Sequence, residues 1–382
     1  MGATGSLGQI AFRVAQTNGL RIPAISGGMR QDLLLELVLS GRPDLVVSFT
    51  QPNPELLAAI RKVNAKFNTG PSGLLAACAH EDSDGTLIAI SGMAGLAPAL
   101  KTLELGRPLI MGCKEAMVGG GQLLMHQAKL ANQKIRPLDS EHTAAAILID
   151  MAGGSDQIDR LILTGSGGSL RDVSQENQRY IPVTKVLTHP VWRMGPKITV
   201  DSATMINKAM EVIAASILFD MHWQNIDVLL DPTAKVHAAA ITKQGEALAL
   251  VNPPDMRIPV SWALGLEIAD DSVHTGADAF AIIESLIPLN PAQRSVVELG
   301  HQVLELGGTA PMAFVAADEV AVSAFLDGHI TVDQIVTLIK KTMDTVGPQA
   351  AKRSPLDDLA LKSTENGAKL VISGLLEDDF PA

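Results

Sequence analysis

The chain has 382 residues, of which 47% are hydrophobic and 19% are charged. This length allows a large buried core and suggests two or three domains, since a domain usually has roughly 100 to 200 residues. The formal net charge of −11 argues against a nucleic acid partner. Only two cysteines occur, which excludes a disulfide framework. No apolar run is as long as a membrane span and no signal peptide is evident, so we expect a cytoplasmic protein with no membrane partner.

Segments with strand and helix periodicity alternate along the first 140 residues. Short apolar runs at 22–25, 45–49, 87–90, 109–111 and 135–138 predict strands, and helical spacing predicts helices over 7–14, 33–39, 96–105 and 116–130. This alternation is typical of a parallel sheet with helices on both faces, which binds its ligands at the carboxyl ends of the strands. A second region starts near Leu161. In the last 90 residues, helical periodicity occurs at 296–304, 320–326 and 335–343.

A glycine-rich loop opens the chain. Gly2, Gly5 and Gly8 form a G-x-x-G-x-x-G pattern before a helix, which lets backbone N–H groups approach a pyrophosphate. The strand that should precede the loop is missing, because the sequence begins at Met1. We expect either an upstream start or another segment to supply it. Arg30 follows the next strand and suits a 2′-phosphate, although a solvated surface arginine is the alternative.

Acidic residues follow the strand predicted at 135–138. Asp139 and Glu141 can point into one site if the backbone turns there, and carboxylate oxygens suit Mg²⁺ or Mn²⁺. A third acid must come from elsewhere in the chain. Exposed loop acids are the alternative.

The segment 195–215 predicts a helix that is capped by Asp201 or Ser202 and continues through Met210. Its spacing places Asn207, Lys208 and Glu211 on one face, which gives an amide, an ammonium and a carboxylate close together. A surface ion pair is the alternative. The preceding segment has Trp192 between a proline and a glycine, as a closing lid would, or a packed loop.

Seven segments together resemble the 1-deoxy-D-xylulose 5-phosphate reductoisomerase family, in order and at compatible spacings. They are the loop at 2–8, Lys114-Glu115, Asp139-Ser140-Glu141-His142, and residues 163–168, 189–197, 201–211 and 254–257. The resemblance covers nearly the whole chain, and the run that ends at Glu211 is its most specific part.

The resemblance implies an α/β fold in three parts, assembled as a homodimer. We expect a Rossmann-like NADP-binding domain over 1–138 and a central α+β catalytic domain over 139–265, with a flap at 187–197. A linker over 266–293 then leads to a C-terminal α-helical bundle over 294–382.

The resemblance also implies the roles of individual residues. Mg²⁺ or Mn²⁺ would be held by Asp139, Glu141 and Glu211. The phosphorylated sugar would be bound by Ser140, Ser166, Trp192, Met194, Ser202, Asn207 and Lys208. The catalytic set would be Lys114, Glu141, His142, His189 and His237. NADPH would be bound by Gly2, Thr4, Gly5, Ser6, Leu7, Gly27, Arg30, Lys114, Glu115 and Gly195.

The implied reaction converts 1-deoxy-D-xylulose 5-phosphate to 2-C-methyl-D-erythritol 4-phosphate in the non-mevalonate route to isoprenoid precursors. The carbon skeleton rearranges by retro-aldol cleavage and re-addition on a metal ion, and NADPH then reduces the resulting aldehyde. A paralogue that acts on another phosphorylated keto-sugar and a catalytically silent homologue are the alternatives.

Four departures from the family pattern keep these alternatives open. Cys113 stands where Asn is usual, and Gly28-Met29 replaces a Lys-Asn pair. Residues 231–234, Asp-Pro-Thr-Ala, replace His-Pro-Gln-Ser. Residues 315–319 read Val-Ala-Ala-Asp-Glu in place of Asn-Ala-Ala-Asn-Glu.

Overall fold

The computed structural model describes residues 1–266 and 272–379. The described residues form two compact units. The first contains Met1–Met117, Leu124–Asp139 and residues 255–266, and the second contains Val118–Leu123, Ser140–Pro254 and residues 272–379. The fold is the expected α/β fold with a C-terminal helical part. Residues 267–271 of the predicted linker and residues 380–382 of the predicted bundle lie outside the described residues.

The first unit has parallel strands with helices between them. Its strands are β1 (Ala24–Gly27), β2 (Leu45–Ser48), β3 (Lys66–Thr69), β4 (Thr86–Ile88), β5 (Leu109–Met111) and β6 (Ile135–Pro137). Its helices are α1 (Ser6–Thr17), α2 (Gln31–Gly41), α3 (Pro54–Val63), α4 (Gly70–Cys78), α5 (Leu96–Glu104), α6 (Lys114–Gly119) and α7 (Gly121–Leu130), with α6 continuing into the second unit. The strands form two parallel three-stranded sheets, β1-β2-β3 and β4-β5-β6.

The first three residues connect the two sheets. Ala3 N donates to Ser26 O at the end of β1 (2.8 Å), and Ala89 N, next to β4, donates to Met1 O (2.9 Å). The backbone of residues 1–3 therefore takes the place of the strand that the glycine loop required. Gly8 is needed close by, because a Cβ there would lie 2.1 Å from the carbonyl oxygen of Gly2.

The second unit has a mixed sheet. After α8 (Ser140–Ala152) come β7 (Ile158–Gly165), the short helices α9 (Gln175–Gln178) and α10 (Val183–Val186), α11 (Pro196–Ala203), α12 (Ile206–Phe219), β8 (Ile226–Leu230), β9 (Val236–Thr242) and β10 (Ala247–Val251). Helix α13 (Arg257–Ala263) is followed by β11 (Val273–Thr275), α14 (Gly276–Ser285) and β12 (Ile287–Pro288). The strand order is β11-β10-β9-β7-β8-β12.

Two predicted boundaries differ from the structure. Residues 255–265 were expected in the central domain, but α13 belongs to the first unit, because Val260 and Ala263 pack with Ala11 and Val14 of α1. The expected linker is largely folded, since β11, α14 and β12 add two strands and a helix to the mixed sheet and its surroundings. The helix predicted over 116–130 is divided into α6 and α7.

The C-terminal bundle contains α15 (Pro291–Leu306), α16 (Ala310–Leu326), α17 (Val332–Ala350) and α18 (Asp358–Asp379). Helix α16 is buried along most of its length and contacts the other three. This agrees with its composition, which is apolar except for Asp318, Glu319 and Ser323. The sequence predictions included the first three helices but not α18.

The helix predicted from Asp201 through Met210 is two helices. Met205 has φ 66°, in the left-handed region that ends a right-handed helix, so α11 stops at Ala203 and α12 starts at Ile206. Asp201 lies inside α11 and does not cap α12. Within the described residues, no single helix is long and apolar enough to cross a membrane, whereas α11 and α12 pass that test only as a pair bent by 94°.

Gly300 allows α15 to approach α12 at backbone distance. A Cβ on Gly300 would lie 2.9 Å from the carbonyl oxygen of Ala209. We expect Gly300→Val to lower the free energy of unfolding by about 1–3 kcal/mol, because overpacking forces the helices apart. Urea unfolding measures the loss. The control is Gly374→Ala in α18, where a Cβ meets nothing within 4 Å; equal effects of the two variants would contradict the close approach.

Candidate active site

Three carboxylates from two distant parts of the sequence lie together. Oxygen atoms of Asp139, Glu141 and Glu211 are all within 4.8 Å of one another. Asp139 ends the segment Leu124–Asp139 of the first unit, and Ser140 begins the next segment of the second unit. Only Ser140 therefore separates Asp139 from Glu141 in the sequence. Glu141 lies in the first turn of α8, and Glu211 comes from α12. The third acid that the sequence required is therefore Glu211.

Lys208 lies between two of these carboxylates. Its Nζ is 2.8 Å from Glu141 Oε1 and 2.5 Å from Glu211 Oε2, and it also donates to the backbone carbonyl of Thr164. Burial lowers the pKa of Lys208, but the two carboxylates outweigh burial and the pKa is raised overall. Lys208 and Glu211 are both buried, so a surface ion pair is excluded.

The remaining carboxylate oxygens also have donors. Asn207 Nδ2 donates to Glu211 Oε1 (2.5 Å), and Ser140 Oγ donates to Glu141 Oε2 (2.5 Å). His142 is buried, and its Nε2 is 2.9 Å from the backbone oxygen of Glu211. The contact of His142 therefore fixes the start of α8 against α12, which carries Glu211.

The donor set suits a hard divalent cation. Ligand oxygens of octahedral Mg²⁺ lie at about 2.1 Å from the ion, hence about 3–4 Å from one another. Three carboxylates within 4.8 Å need only small side-chain movements to reach that geometry. The positive charges of Lys208 and of Lys114, whose Nζ is 2.8 Å from Asp139 Oδ2, leave the three acids with a net charge of about −1.

Cys113 connects two strand ends of the first unit. Its Sγ lies 2.9 Å from the carbonyl oxygen of Gly92, after β4, and 3.8 Å from Glu115 Oε2. The thiol that replaces the family's Asn therefore still donates a hydrogen bond at the edge of the sheet, next to Lys114. Cys in place of Asn at position 113 thus keeps one hydrogen-bond donor and loses the carbonyl oxygen of the amide as an acceptor.

His189 and Ser166 form a second polar pair. His189 Nδ1 accepts hydrogen bonds from the backbone N–H groups of Val191 (3.1 Å) and Trp192 (2.8 Å), and Nε2 is 3.1 Å from Ser166 Oγ. Burial lowers the pKa of His189, which favours the neutral ring. Because Nδ1 is an acceptor, the proton lies on Nε2, which donates to Ser166 Oγ.

The predicted flap leads from this pair to α11. Its residues 188–195 have no regular secondary structure. The Trp192 ring is half-buried and lies 6.3 Å from the ring of His237 on β9. Gly168 allows the preceding loop to pass close to α11, because its φ is +65° and a Cβ would lie 2.5 Å from the carbonyl oxygen of Ser202.

The departure at residues 231–234 forms a tight turn. Asp231 Oδ1 accepts from Thr233 N (2.9 Å), and its Oδ2 accepts from Lys235 N (2.9 Å) and Val236 N (2.8 Å). Burial raises the pKa of Asp231, but these hydrogen bonds outweigh burial and the pKa is lowered overall. The aspartate thus fixes the start of β9, which carries His237.

The glycine loop and β1 form the candidate cofactor site of the first unit. Thr4 Oγ1 accepts from Gly28 N (3.1 Å), and a Cβ on Gly27 would lie 2.9 Å from Thr4 Cγ2. Gly5 is the N-cap of α1 and provides no side-chain cap, so backbone N–H groups face the loop. Arg30 is exposed at the start of α2, 3.6 Å from Asp32.

The two units thus hold different parts of the predicted set. The first contains Gly2, Thr4, Gly5, Ser6, Leu7, Gly27, Arg30, Lys114, Glu115 and Asp139, and the second contains the other predicted site residues, including exposed Gly195 and half-buried Met194. The predicted site residues omit Thr164, whose backbone contact with Lys208 has no sequence signal. They also omit Lys197, for which the i, i+4 spacing to Asp201 was a visible signal.

Comparisons with known proteins give the family of the chain. Three protein-family models match: 1-deoxy-D-xylulose 5-phosphate reductoisomerase over residues 1–121, its C-terminal domain over 135–219, and the DXP reductoisomerase C-terminal domain over 251–366. The 1-deoxy-D-xylulose 5-phosphate reductoisomerase of Thermomicrobium roseum is 34% identical over 379 residues, covering 98% of this chain and 96% of the relative. The chain belongs to this reductoisomerase family.

Further members of the reductoisomerase family support the assignment. The reductoisomerase of Lysinibacillus sphaericus is 36% identical over 355 residues, covering 90% of this chain and 91% of the relative. A crystal structure of DOX-P reductoisomerase in complex with NADPH, fosmidomycin and magnesium superimposes with a TM-score of 0.87 at 29% identity, covering 98% of this chain and 97% of that chain. The resemblance inferred from the seven sequence segments is confirmed.

The Asp231 turn gives a prediction about stability and pH. We expect Asp231→Asn to lower the free energy of unfolding by about 1–2 kcal/mol at pH 7, because one amide oxygen replaces two acceptors. The folded pKa of Asp231 is lowered, so its contribution is present above the unfolded value near 3.8 and is lost as pH falls through the folded value. The difference between the two proteins in urea unfolding should therefore shrink below pH 4. A difference that stays constant would contradict the carboxylate's role.

Proposed function

We propose that the protein is a metal-dependent and NADPH-dependent reductoisomerase that converts 1-deoxy-D-xylulose 5-phosphate to 2-C-methyl-D-erythritol 4-phosphate. The observation that carries the proposal is the group formed by Asp139, Glu141 and Glu211. It occurs in a chain that matches the family along nearly its whole length. A silent homologue has no need to keep three acids and two lysines together, so that alternative is disfavoured.

Asp139, Glu141 and Glu211 would hold Mg²⁺ or Mn²⁺. When bound, the divalent ion supplies Lewis acidity at the carbonyl and hydroxyl oxygens of the sugar, and the nicotinamide supplies a hydride. The structure named above that contains both NADPH and magnesium supports this pair of cofactors.

The side chains around the acids would bind and orient the substrate. Asn207 and Ser202 provide neutral hydrogen-bonding groups at the junction of α11 and α12, and Ser166 is fixed by His189. Lys208 provides a buried positive charge for a substrate anion, shared with Glu141 and Glu211. Fixing the phosphate away from the reacting carbons limits the geometries available to the substrate.

The flap and the lysine of the first unit would complete the machinery. Trp192 and Met194 stand in the irregular segment before α11, where they could cover a bound sugar and exclude water. Lys114, paired with Asp139, would hold a proton donor near the reacting hydroxyl groups. The remaining roles of His142 and His237 follow the family resemblance.

The proposal includes a homodimer in the cytoplasm, with a phosphorylated sugar as the small-molecule partner and with neither nucleic acid nor membrane. The homodimer follows the family resemblance. Cys78 and Cys113 are buried thiols, as a reducing compartment allows.

A direct assay tests the function. Purified protein with deoxyxylulose phosphate and Mn²⁺ should oxidise NADPH, followed by loss of absorbance, and omission of the metal should stop the reaction. Glu211→Gln should lower kcat by about a thousandfold, because a neutral amide is a poor ligand for a hard cation. Glu176→Gln, on the exposed helix α9, is the matched control.

The outcomes separate the candidate functions. Oxidation of neither NADPH nor NADH would reject the proposal, and turnover of only another sugar phosphate would favour the paralogue. Full activity of Glu211→Gln would remove that residue from the metal set.

Arg30 gives a separate prediction for cofactor preference. It is the candidate for the 2′-phosphate, since Gly28-Met29 replaces the family's Lys-Asn pair. Arg30→Ala should raise KM for NADPH about tenfold and leave KM for NADH unchanged, because a charge-assisted hydrogen bond is lost only with the phosphorylated cofactor. Arg61→Ala, exposed on α3, is the control. Equal effects on both cofactors would place the 2′-phosphate elsewhere.

A further inference from the structure

Lys197 lies between two buried carboxylates of the second unit. Its Nζ is 2.7 Å from Asp201 Oδ2, one turn later in α11, and 2.6 Å from Asp318 Oδ2 on α16. The side chains of Asp201 and Asp318 are 3% and 0% exposed, whereas that of Lys197 is 27% exposed. One ammonium group therefore joins the start of α11 to the most buried helix of the C-terminal bundle.

This ion pair is costly to break. Loss of the Lys197 charge would remove a neutralising group from two buried carboxylates, and burial makes the remaining negative charge expensive. Lys197 compensates both at once. The ion pair consequently adds to the packing that holds α11 against α16.

The position of Lys197 gives this connection a functional meaning. Lys197 is the last residue of the flap and the second residue of α11, which begins at Pro196 after its N-cap Gly195. The other end of the flap is also fixed, because Ser169 Oγ donates to the carbonyl oxygen of Val186 (2.7 Å), a buried residue of α10. Between these two fixed ends the chain is irregular. A closing movement of the flap would therefore take place between them.

We propose that Lys197 is a positioning residue, which fixes the base of the flap and α11 through Asp201 and Asp318 so that the flap closes over the substrate in the productive geometry. Helix α16 thereby takes part in substrate binding without touching the substrate. The inference rests on the proposed function in that the flap covers the phosphorylated sugar. Asp318 stands where the family's segment has Asn, so the second carboxylate of this connection is a departure of this chain.

A purely structural role is the competing explanation, and Lys369 provides the matched control. Its Nζ lies 2.6 Å from Glu365 and 3.5 Å from Glu319, the residue after Asp318 on α16. Lys369→Met thus breaks ion pairs of the same bundle that include no residue of the flap. It should lower the melting temperature without changing the kinetics.

The first experiment compares Lys197→Met with the unaltered protein. We expect kcat/KM for deoxyxylulose phosphate to fall about a hundredfold, mainly through KM, because a displaced flap loses its contacts with the substrate. Trypsin cleavage after exposed Arg193, in the middle of the flap, should be faster in the folded variant without any ligand.

Two further variants keep the test decisive if Lys197→Met folds poorly. Lys197→Arg retains the charge and should restore most of the substrate KM and the slow cleavage at Arg193. Asp318→Asn removes one partner as a neutral isostere and should give an intermediate cleavage rate. Unchanged kinetics and cleavage in all three Lys197 and Asp318 variants, or the same losses in Lys369→Met, would overturn the proposal. If the unaltered protein does not turn over the sugar, the proposed function fails, while the cleavage rates still decide on the anchor.

Discussion

The structure of the second unit depends on one buried positive charge. Lys208 contributes an ammonium group that Glu141 and Glu211 compensate, and a backbone carbonyl of β7 completes its contacts. A buried charge is tolerated only when its partners are held in place. Helices α8 and α12 and the strand β7 must therefore meet at one point, and this requirement brings together residues that are 67 positions apart.

The fold satisfies this requirement with small side chains and one sharp bend. The left-handed residue Met205 lies at the 94° bend between α11 and α12, so Ser202 and Asn207 lie on two helices at the same corner. His142 then fixes the backbone of Glu211. Glu141, Asn207, Lys208 and Glu211 consequently lie on helices, whereas Asp139, Ser166 and the flap lie outside helices and strands. Groups on regular elements keep their geometry better than groups on loops.

Much of the site could be predicted from sequence spacing alone. Asn207, Lys208 and Glu211 share a helix face because of the 3.6-residue period, and this prediction holds despite the wrong helix start. Strands β1, β2 and β4 to β6 were predicted from their apolar runs. Strand β3 was missed because its residues alternate between exposed and half-buried and include Lys66 and Asn68. The bend at Met205 was missed because methionine gives no local signal for a positive φ.

Long-range contacts set the limit of such predictions. The backbone of residues 1–3 lies between β1 and β4 and hydrogen-bonds on both sides. Nothing in the glycine pattern indicates these contacts. The buried pairing of Lys197 with Asp318 joins residues 121 positions apart. Helical periodicity predicted a helix at 320–326, within α16, but it gave one helix where α11 and α12 stand. It also carries no information on which faces meet.

The close approach of Gly300 to Ala209 restricts which residues position 300 can carry. Ala209 is the neighbour of Lys208, and α15 approaches it so closely that no larger residue fits at position 300. A larger residue at position 300 would therefore push on α12 next to Lys208, which pairs with Glu141 and Glu211. A glycine outside the predicted site is in this way tied to the geometry of the site.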